Sequence, residues 1–335
     1  MKKTTCTHPA YGVEQLGLLR AGVTEKALRE NARFMAAHLL PYGWNTLVCD
    51  IQWYEPQAKG NEYNNFASVC MDEYGRLLPA ENRFPSAAGG KGFGPIADYC
   101  HSLGLRFGIH IMRGIPRQAV HRDTPILGTD LLPGTQPITS PSAPGTRICT
   151  VCGIMLPPKR TMTPFVGCTP TGAWILLSAT IFASRNFASG TIRITPGMRL
   201  KCSTAACKIA GGRWCCPCLP GPADIANLPH LRRHAQMWRM TGDFWDRWDK
   251  LHDMFDRCKT WEGVPGPGCW PDCDMLPVGR LCKDAPYHGE QNRMSNFTPD
   301  EVRTMFTLWG IFRSPLFLGG DLPEMPRRCA GYADQ

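Results

Sequence analysis

The 335-residue chain has two distinct compositions, and this division limits how much of it can form an ordinary domain. From Leu131 to Ala223 there is no Asp or Glu, whereas the same window holds nine Lys and Arg residues and eight of the 17 cysteines. Those nine charges equal the formal net charge of +9, so the rest of the chain is neutral. Averages over the whole chain therefore mislead, and we consider this acid-free window separately from the rest.

Outside the acid-free window, strand patterns alternate with helix patterns. Helical periodicity predicts helices over residues 24–39, 96–103 and 298–312, and apolar runs predict strands over residues 46–49, 106–111 and 315–318. Thr24 is a typical N-cap, and Thr298 with Glu301 forms a capping-box pattern. Asp50 follows the first of these strands directly. The alternation predicts a parallel α/β fold, and the length suits a (β/α)8 TIM barrel, although periodicity fits a doubly wound sheet equally well.

The segment 238–246 contains the strongest candidate for a catalytic acid. Asp243 has Arg239 four residues earlier and aromatic residues on both sides. A carboxyl group in such surroundings is suited to binding a sugar and protonating its leaving oxygen. The same pattern is typical of a helix N-cap, in which Asp243 would begin an amphipathic helix through Trp248, Leu251 and Phe255. Spacing alone favours the cap.

Taken together, several stretches resemble glycoside hydrolase family 27, the α-galactosidases and their relatives. They occur in the family's order at residues 43–53, 74–77, 83–85, 97–99, 104–109, 238–246, 266–276 and 313–316. Any one of them would be weak evidence, but the ordered set is specific. The resemblance implies a single catalytic barrel that removes terminal α-galactosyl residues with retention, through a covalent intermediate.

The resemblance also implies roles for individual residues. Asp243 matches the family's general acid/base, and Arg239 matches a nearby arginine that contacts the sugar. Asp50 matches the first of two adjacent acids that bind galactose hydroxyls, and Trp53 matches the aromatic residue close to them. Asp272 and Asp274 match the family's late acidic pair, for which a structural role is at least as well supported as substrate binding.

The chain departs from the family pattern at two places near these residues. The second of the two adjacent acids is Ile51 here, and His110 is followed by Ile111, Met112 and Arg113 instead of an acidic segment. Both departures leave the exact sugar open.

The nucleophile that a retaining mechanism requires is missing. This second carboxylate should lie roughly 5 Å from the first, on a strand that the family places between residues 111 and 238. With one choice of synonymous codons, Cys168–Phe182 shifted by two bases encodes Tyr-Ala-Asp-Trp-Gly-Val-Asp-Phe-Ile-Lys-Cys-Asp-Asp-Ile. This is the family's nucleophile strand, and the nucleophile codon would straddle Ala179 and Thr180. We hypothesise compensating frameshifts, real or introduced in sequencing; resequencing of the gene tests this.

Two other segments also indicate a shifted reading frame. Tyr11–Arg20 shifted by one base encodes Met-Gly-Trp-Asn-Ser-Trp-Asp-Cys-Phe, which is the family's opening motif. The tail Met325–Gln335 also loses the family pattern and is predicted to be out of frame. An alternative interpretation of the window is a zinc-binding or nucleic-acid-binding insert. It is disfavoured because its cysteine groups are far apart and its basic residues are scattered.

These observations predict an α-galactosidase-like retaining exo-glycosidase whose partner is an oligosaccharide or α-galactoside. No metal or other cofactor is expected, and neither nucleic acid nor a membrane is an expected partner. The window would have to supply several barrel strands and helices, which out-of-frame residues with many prolines are not expected to form. We therefore expect the barrel to be incomplete or disturbed between about residues 130 and 220, and residues 131–223 to be poorly ordered. The chain as written is expected to be inactive; the alternative is a non-catalytic sugar-binding remnant or a pseudogene product. No apolar stretch follows the basic start Met1–Cys6, so a cytoplasmic location is expected. The family's usual C-terminal β-sandwich is not expected in a chain of this length, and the oligomeric state is left open.

Overall fold

Eight short parallel strands form the centre of the computed structural model, which describes residues 11–14, 22–59, 67–112, 115–125, 149–150, 178–180, 218–219, 222–282 and 292–324. The strands are β1 (Tyr11–Glu14), β2 (Thr46–Cys49), β3 (Arg106–Met112), β4 (Ser178–Thr180), β5 (Cys218–Leu219), β6 (Met237–Arg239), β7 (Trp270–Asp272) and β8 (Leu316–Leu318). They pair in the order β8-β1-β2-β3-β4-β5-β6-β7. A parallel bridge between Leu276 and Leu318 joins the chain after β7 to β8 and closes the sheet. The predicted (β/α)8 barrel is confirmed.

Two of the barrel strands lie within the acid-free window. In β4, Ala179 and Thr180 are in register with Ile111 and Met112 of β3, and β5 pairs with β6. Apart from these two strands and residues 149–150 and 222–223, the window lies outside the described residues, as does the tail 325–335. The expected disturbance of the barrel between about 130 and 220 and the expected disorder of the window therefore stay predictions. At the other end of the chain, β1 lies in the segment for which a frameshift was inferred, and it pairs with both β2 and β8.

Helices connect the strands in the described part of the chain. They are α1 (Glu25–His38), α2 (Gly94–Ser102), α3 (Arg117–His121), α4 (Leu228–His234), α5 (Trp248–Thr260) and α6 (Pro299–Phe312). Short 3-10 turns cover Leu40–Tyr42, Pro85–Ala87, Ile225–Asn227 and Leu322–Glu324. Two antiparallel pairs flank the barrel, Ile115–Pro116 with Cys149–Thr150 and Arg280–Leu281 with Arg293–Met294. None of the described helices has the length and apolar character needed to cross a membrane.

The predicted helix starts are confirmed where local side chains satisfy the first backbone amides. Thr24 Oγ1 accepts from Ala27 N at 3.4 Å at the start of α1. At α6, Thr298 Oγ1 accepts from Glu301 N at 3.3 Å, and the Glu301 carboxylate accepts from Thr298 N at 2.7 Å. Each such cap is worth about 1 kcal/mol. These contacts need only residues within one helical turn, which is why the pattern predicts them.

The N-cap interpretation of Asp243 is wrong. Helix α5 begins at Trp248, and its N-cap position is Arg247, which makes no side-chain capping hydrogen bond. Of the three predicted apolar positions, Leu251 is buried, whereas Trp248 and Phe255 are about half exposed, at 52% and 46%. Asp243 instead pairs with Arg239. The carboxylate therefore forms an ion pair with a guanidinium instead of capping a helix.

Candidate active site

The loop after β2 carries the most buried of the predicted site residues. Asp50 is 1% exposed. Its Oδ1 accepts from Ile51 N at 2.7 Å and lies 3.0 Å from His110 Nδ1. Its Oδ2 is buried and has no hydrogen-bond partner among the described residues. An unsatisfied buried acceptor costs about 1–3 kcal/mol, so this oxygen is suited to receive a hydrogen bond from a ligand.

The guanidinium of Arg83 binds the backbone of the loop after β2. It donates to three backbone carbonyl oxygens, those of Gln52 at 2.7 Å, Glu55 at 2.9 Å and Val23 at 2.6 Å. Gln52 has a φ of 64°, a left-handed conformation that is uncommon for a residue with a side chain. The hydrogen bonds from Arg83 thus stabilise the strained turn that follows Asp50 and hold its backbone in place.

Trp53 lies in the same loop but faces the core. It is 4% exposed. Its Nε1 donates to the His110 carbonyl at 2.7 Å, and its ring contacts Phe93 edge-on at 5.1 Å. These contacts join the loop after β2 to β3. The role that the resemblance implies for Trp53, a residue beside the sugar, stays a prediction.

His110 is a buried polar residue of β3 that the sequence analysis did not identify as functional. It is 6% exposed and reaches Asp50 through Nδ1. It is also close enough to Asp272 for its charge to act on that carboxyl. A histidine between the apolar residues Ile109 and Ile111 of a predicted strand was the available signal, because buried polar groups need a partner.

Asp272 lies at the end of β7, in register with Arg239 of β6. Burial raises the pKa of the Asp272 carboxyl to about 6, and attraction to Arg239, the hydrogen bond from Asp274 N and attraction to His110 offset only part of this rise. The Asp274 amide donates to Asp272 Oδ1 at 2.9 Å. The Asp272 carboxyl group therefore changes charge near neutral pH, which suits a residue in a ligand site better than an ordinary surface carboxylate.

Asp243 lies closer to solvent than Asp50, His110 and Asp272 do. Its side chain is 58% exposed, and its Oδ1 accepts from Arg239 Nη2 at 3.2 Å. The same Arg239 nitrogen lies 3.1 Å from Asp274 Oδ2. That carboxylate also accepts from Phe244 N, the amide next to Asp243, at 2.6 Å. Asp274 is thus the structural member of the late acidic pair, since it fixes both the arginine and the loop around the candidate acid.

A second anchor on the same loop was not predicted. Asp246 is buried and pairs with Arg293, with Arg293 Nη2 2.9 Å from Asp246 Oδ1. The Asn296 amide donates to the same carboxylate at 2.5 Å. These contacts tie the segment after β6 to the segment before α6. Nothing local in the sequence indicates them, because the partners are far apart along the chain.

Four of the predicted residues, together with His110, therefore form a set of polar groups at the C-terminal ends of β2, β3, β6 and β7. Hydrogen bonds or ion pairs join Asp50 to His110 and Arg239 to Asp243, and Asp272 is joined to His110 and Arg239 by charge attraction. We name this set the polar chain; it consists of Asp50, His110, Asp272, Arg239 and Asp243. The ends of barrel strands are where TIM-barrel enzymes place their sites. The predicted nucleophile position, Ala179–Thr180, lies in β4 beside β3. Among the described residues, no group of three His, Cys, Asp or Glu side chains is arranged to hold a metal ion.

Comparison with solved structures decides the family. The chain matches a β-L-arabinopyranosidase of glycoside hydrolase family 27 from Geobacillus stearothermophilus, solved in complex with arabinose, with a TM-score of 0.86 and 40% identity. The match covers 98% of this chain and 75% of that one. The chain belongs to glycoside hydrolase family 27. The resemblance predicted from the ordered motifs is confirmed.

Other relatives of this family 27 chain differ in the substrate that their names give. A candidate α-N-acetylgalactosaminidase from Bacillus halodurans has a TM-score of 0.76 and 37% identity, over 97% of this chain and 74% of that one. An α-galactosidase from Oryza sativa subsp. japonica is 30% identical over 96 residues, which are 29% of this chain and 20% of the relative. A family model described as α-galactosidase A matches residues 212–331. The aligned parts thus span about a fifth of the first curated relatives.

Proposed function

We propose that the protein derives from a retaining exo-glycosidase in which Asp243 is the general acid/base and the buried end of the polar chain binds the sugar. The observation that carries this proposal is the gradient of burial along the polar chain, from Asp50 at 1% exposed to the half-exposed side chain of Asp243. Buried acceptors are suited to bind ring hydroxyls that leave water. An exposed carboxyl group at the rim is suited to protonate the oxygen of a leaving group that departs into solvent.

Within this class, we infer that the sugar is a pentopyranoside of the L-arabinose type. The β-L-arabinopyranosyl ring has the configuration of the α-D-galactosyl ring but lacks the hydroxymethyl group. Ile51 stands where the resemblance implies an acid that binds a galactose hydroxyl, and its side chain is buried in the apolar core. A sugar hydroxyl placed against apolar surface loses its hydrogen bond to water without replacement. The match to an arabinopyranosidase with bound arabinose supports the same substrate.

For the intact frame we propose double displacement. The Asp encoded across Ala179 and Thr180 would attack the anomeric carbon while Asp243 protonates the departing oxygen, and Asp243 would then activate water. No residue of the printed sequence supplies the attacking carboxylate at that position. We therefore expect the chain as written to bind sugar without turnover, because the covalent step has no nucleophile.

Two proteins and two substrates test this proposal. The full chain and a version with the frame restored over residues 131–223 are assayed with p-nitrophenyl β-L-arabinopyranoside and p-nitrophenyl α-D-galactopyranoside. We expect turnover only by the restored protein, with the arabinoside preferred, and a loss of about 10²–10⁴-fold for its Asp243→Asn variant. Full activity of that variant would refute the role of Asp243. Preference for the galactoside would refute the assigned sugar.

A non-catalytic sugar-binding remnant, or a pseudogene product, is the second candidate. The absence of any acid from 131 to 223 favours it. It predicts that the full chain binds L-arabinose in isothermal titration calorimetry, and that restoring the frame adds no activity. Turnover by the full chain as written would exclude it.

A further inference from the structure

The Asp50 carboxylate has two oxygens in different environments. Oδ1 accepts from Ile51 N at 2.7 Å and from His110 Nδ1 at 3.0 Å. Oδ2 is equally buried and has no partner among the described residues. Two donors on one oxygen leave the other oxygen as the acceptor that a ligand can use.

The second donor decides the orientation of the carboxylate. The terminal torsion of an Asp side chain is broad and roughly two-fold, so one hydrogen bond from the adjacent amide restricts it weakly. His110 comes from a different strand and supplies a donor in a direction that Ile51 N does not. Because a carboxylate oxygen only accepts, His110 Nδ1 carries the proton in this bond.

The position of His110 is itself fixed from two sides. Its backbone is part of β3, which pairs with β2 in register, Cys49 opposite Ile109. Its carbonyl oxygen accepts from Trp53 Nε1 at 2.7 Å. The loop that carries Asp50 is therefore joined to His110 through both the side chain of the histidine and its backbone.

We propose that His110 is a positioning residue for sugar binding: it occupies Asp50 Oδ1 so that Oδ2 is presented to a sugar hydroxyl. This inference rests on the proposed function, in which Asp50 binds the sugar. His110 itself does not need to touch the ligand. Because hydrogen bonds to charged groups are stronger than those between neutral groups, losing this orientation should weaken sugar binding by about 10- to 100-fold.

The test compares two near-isosteric variants of the full chain, with L-arabinose as the probe in isothermal titration calorimetry. In His110→Asn the amide nitrogen takes the place of Nδ1, whereas in His110→Gln it takes the place of Nε2. We expect the Asn variant to keep nearly the wild-type affinity and the Gln variant to lose about 10-fold or more. His110→Phe should lose as much as the Gln variant, and His121→Phe, at an exposed position on α3, should lose nothing.

The outcomes separate the inference from the function on which it depends. Equal affinity of the Asn and Gln variants, whether both are strong or both are weak, would overturn the positioning role, because a merely structural histidine does not distinguish the two nitrogen positions. If the wild-type chain itself fails to bind L-arabinose and D-galactose at any accessible concentration, both the proposed sugar site and the inference fall. Urea unfolding of each variant confirms that folded proteins are compared.

Discussion

Replacing Asp272 with asparagine should change how the stability of the protein depends on pH. Burial raises the pKa of this carboxyl to about 6, from an ordinary value of 3.8. Since the folded-state pKa lies above the unfolded-state pKa, the contribution of Asp272 to stability is complete below about pH 4 and is lost as pH rises through about 6. The Asp272→Asn variant cannot ionise at this position and should lack this loss.

The expected size follows from the shift. A difference of about two units at 1.36 kcal/mol per unit amounts to about 3 kcal/mol. The side-chain amide introduced by Asp272→Asn would keep an oxygen for the Asp274 N–H, which donates to the carboxylate at 2.9 Å in the wild type. The free energy of unfolding of Asp272→Asn minus that of the wild type should therefore rise by about 3 kcal/mol between pH 4 and pH 7.

Urea unfolding followed by tryptophan fluorescence at pH 4, 5, 6 and 7 measures this difference. Other carboxyl groups titrate in the same range, but they are identical in the two proteins and cancel in the subtraction. If the difference in the free energy of unfolding stays constant with pH, the charge of Asp272 does not destabilise the folded protein. A difference that falls with pH would show that attraction to Arg239 and His110 outweighs burial, and it would refute the reasoning.

Three further substitutions test other parts of the structure. Ile51→Asp should raise affinity for D-galactose relative to L-arabinose by about 10- to 100-fold in calorimetry, because it restores an acceptor beside Asp50. Asp274→Ala should lower the free energy of unfolding by about 3–5 kcal/mol, because it leaves the nearly buried arginine of the polar chain without this carboxylate. Gly320→Ala should destabilise by about 3 kcal/mol, since its Cβ would lie 2.0 Å from the Val278 carbonyl oxygen.

Matched controls accompany these substitutions. Gly310→Ala lies within α6, where an added Cβ meets nothing within 4 Å, so it should stabilise by about 0.5–1 kcal/mol. Asp249→Ala removes an exposed partner of Arg247 and an acid in the first turn of α5, so it should change the unfolding midpoint far less than Asp274→Ala does. If Gly320→Ala and Gly310→Ala had the same free energy of unfolding, the close approach of Gly320 to the Val278 carbonyl oxygen would be wrong. If Asp274→Ala matched Asp249→Ala, the anchoring role of Asp274 would be contradicted. An unchanged sugar preference in Ile51→Asp would argue against the pentopyranoside.

The sequence by itself determined the elements whose causes are local. Thr24 and Thr298 cap helices through amides within three residues, and the run 46–49 forms β2 with the charged Asp50 directly after it. The alternation of such elements, with the ordered family motifs, was sufficient for the barrel and for the family. These predictions succeed because they depend on short-range hydrogen bonds and on periodicity, which a linear pattern contains.

Only the tertiary structure decided which basic side chains and backbone amides pair with each acid. Asp243 fits a helix cap by spacing, yet it pairs with an arginine that also contacts Asp274, thirty positions beyond the Phe244 amide. His110 reaches a carboxylate 60 positions away. Such contacts exist because parallel strands of a closed barrel bring their C-terminal ends together, whatever their separation along the chain. Burial then selects which charges must be paired, and burial is a property of the assembled barrel.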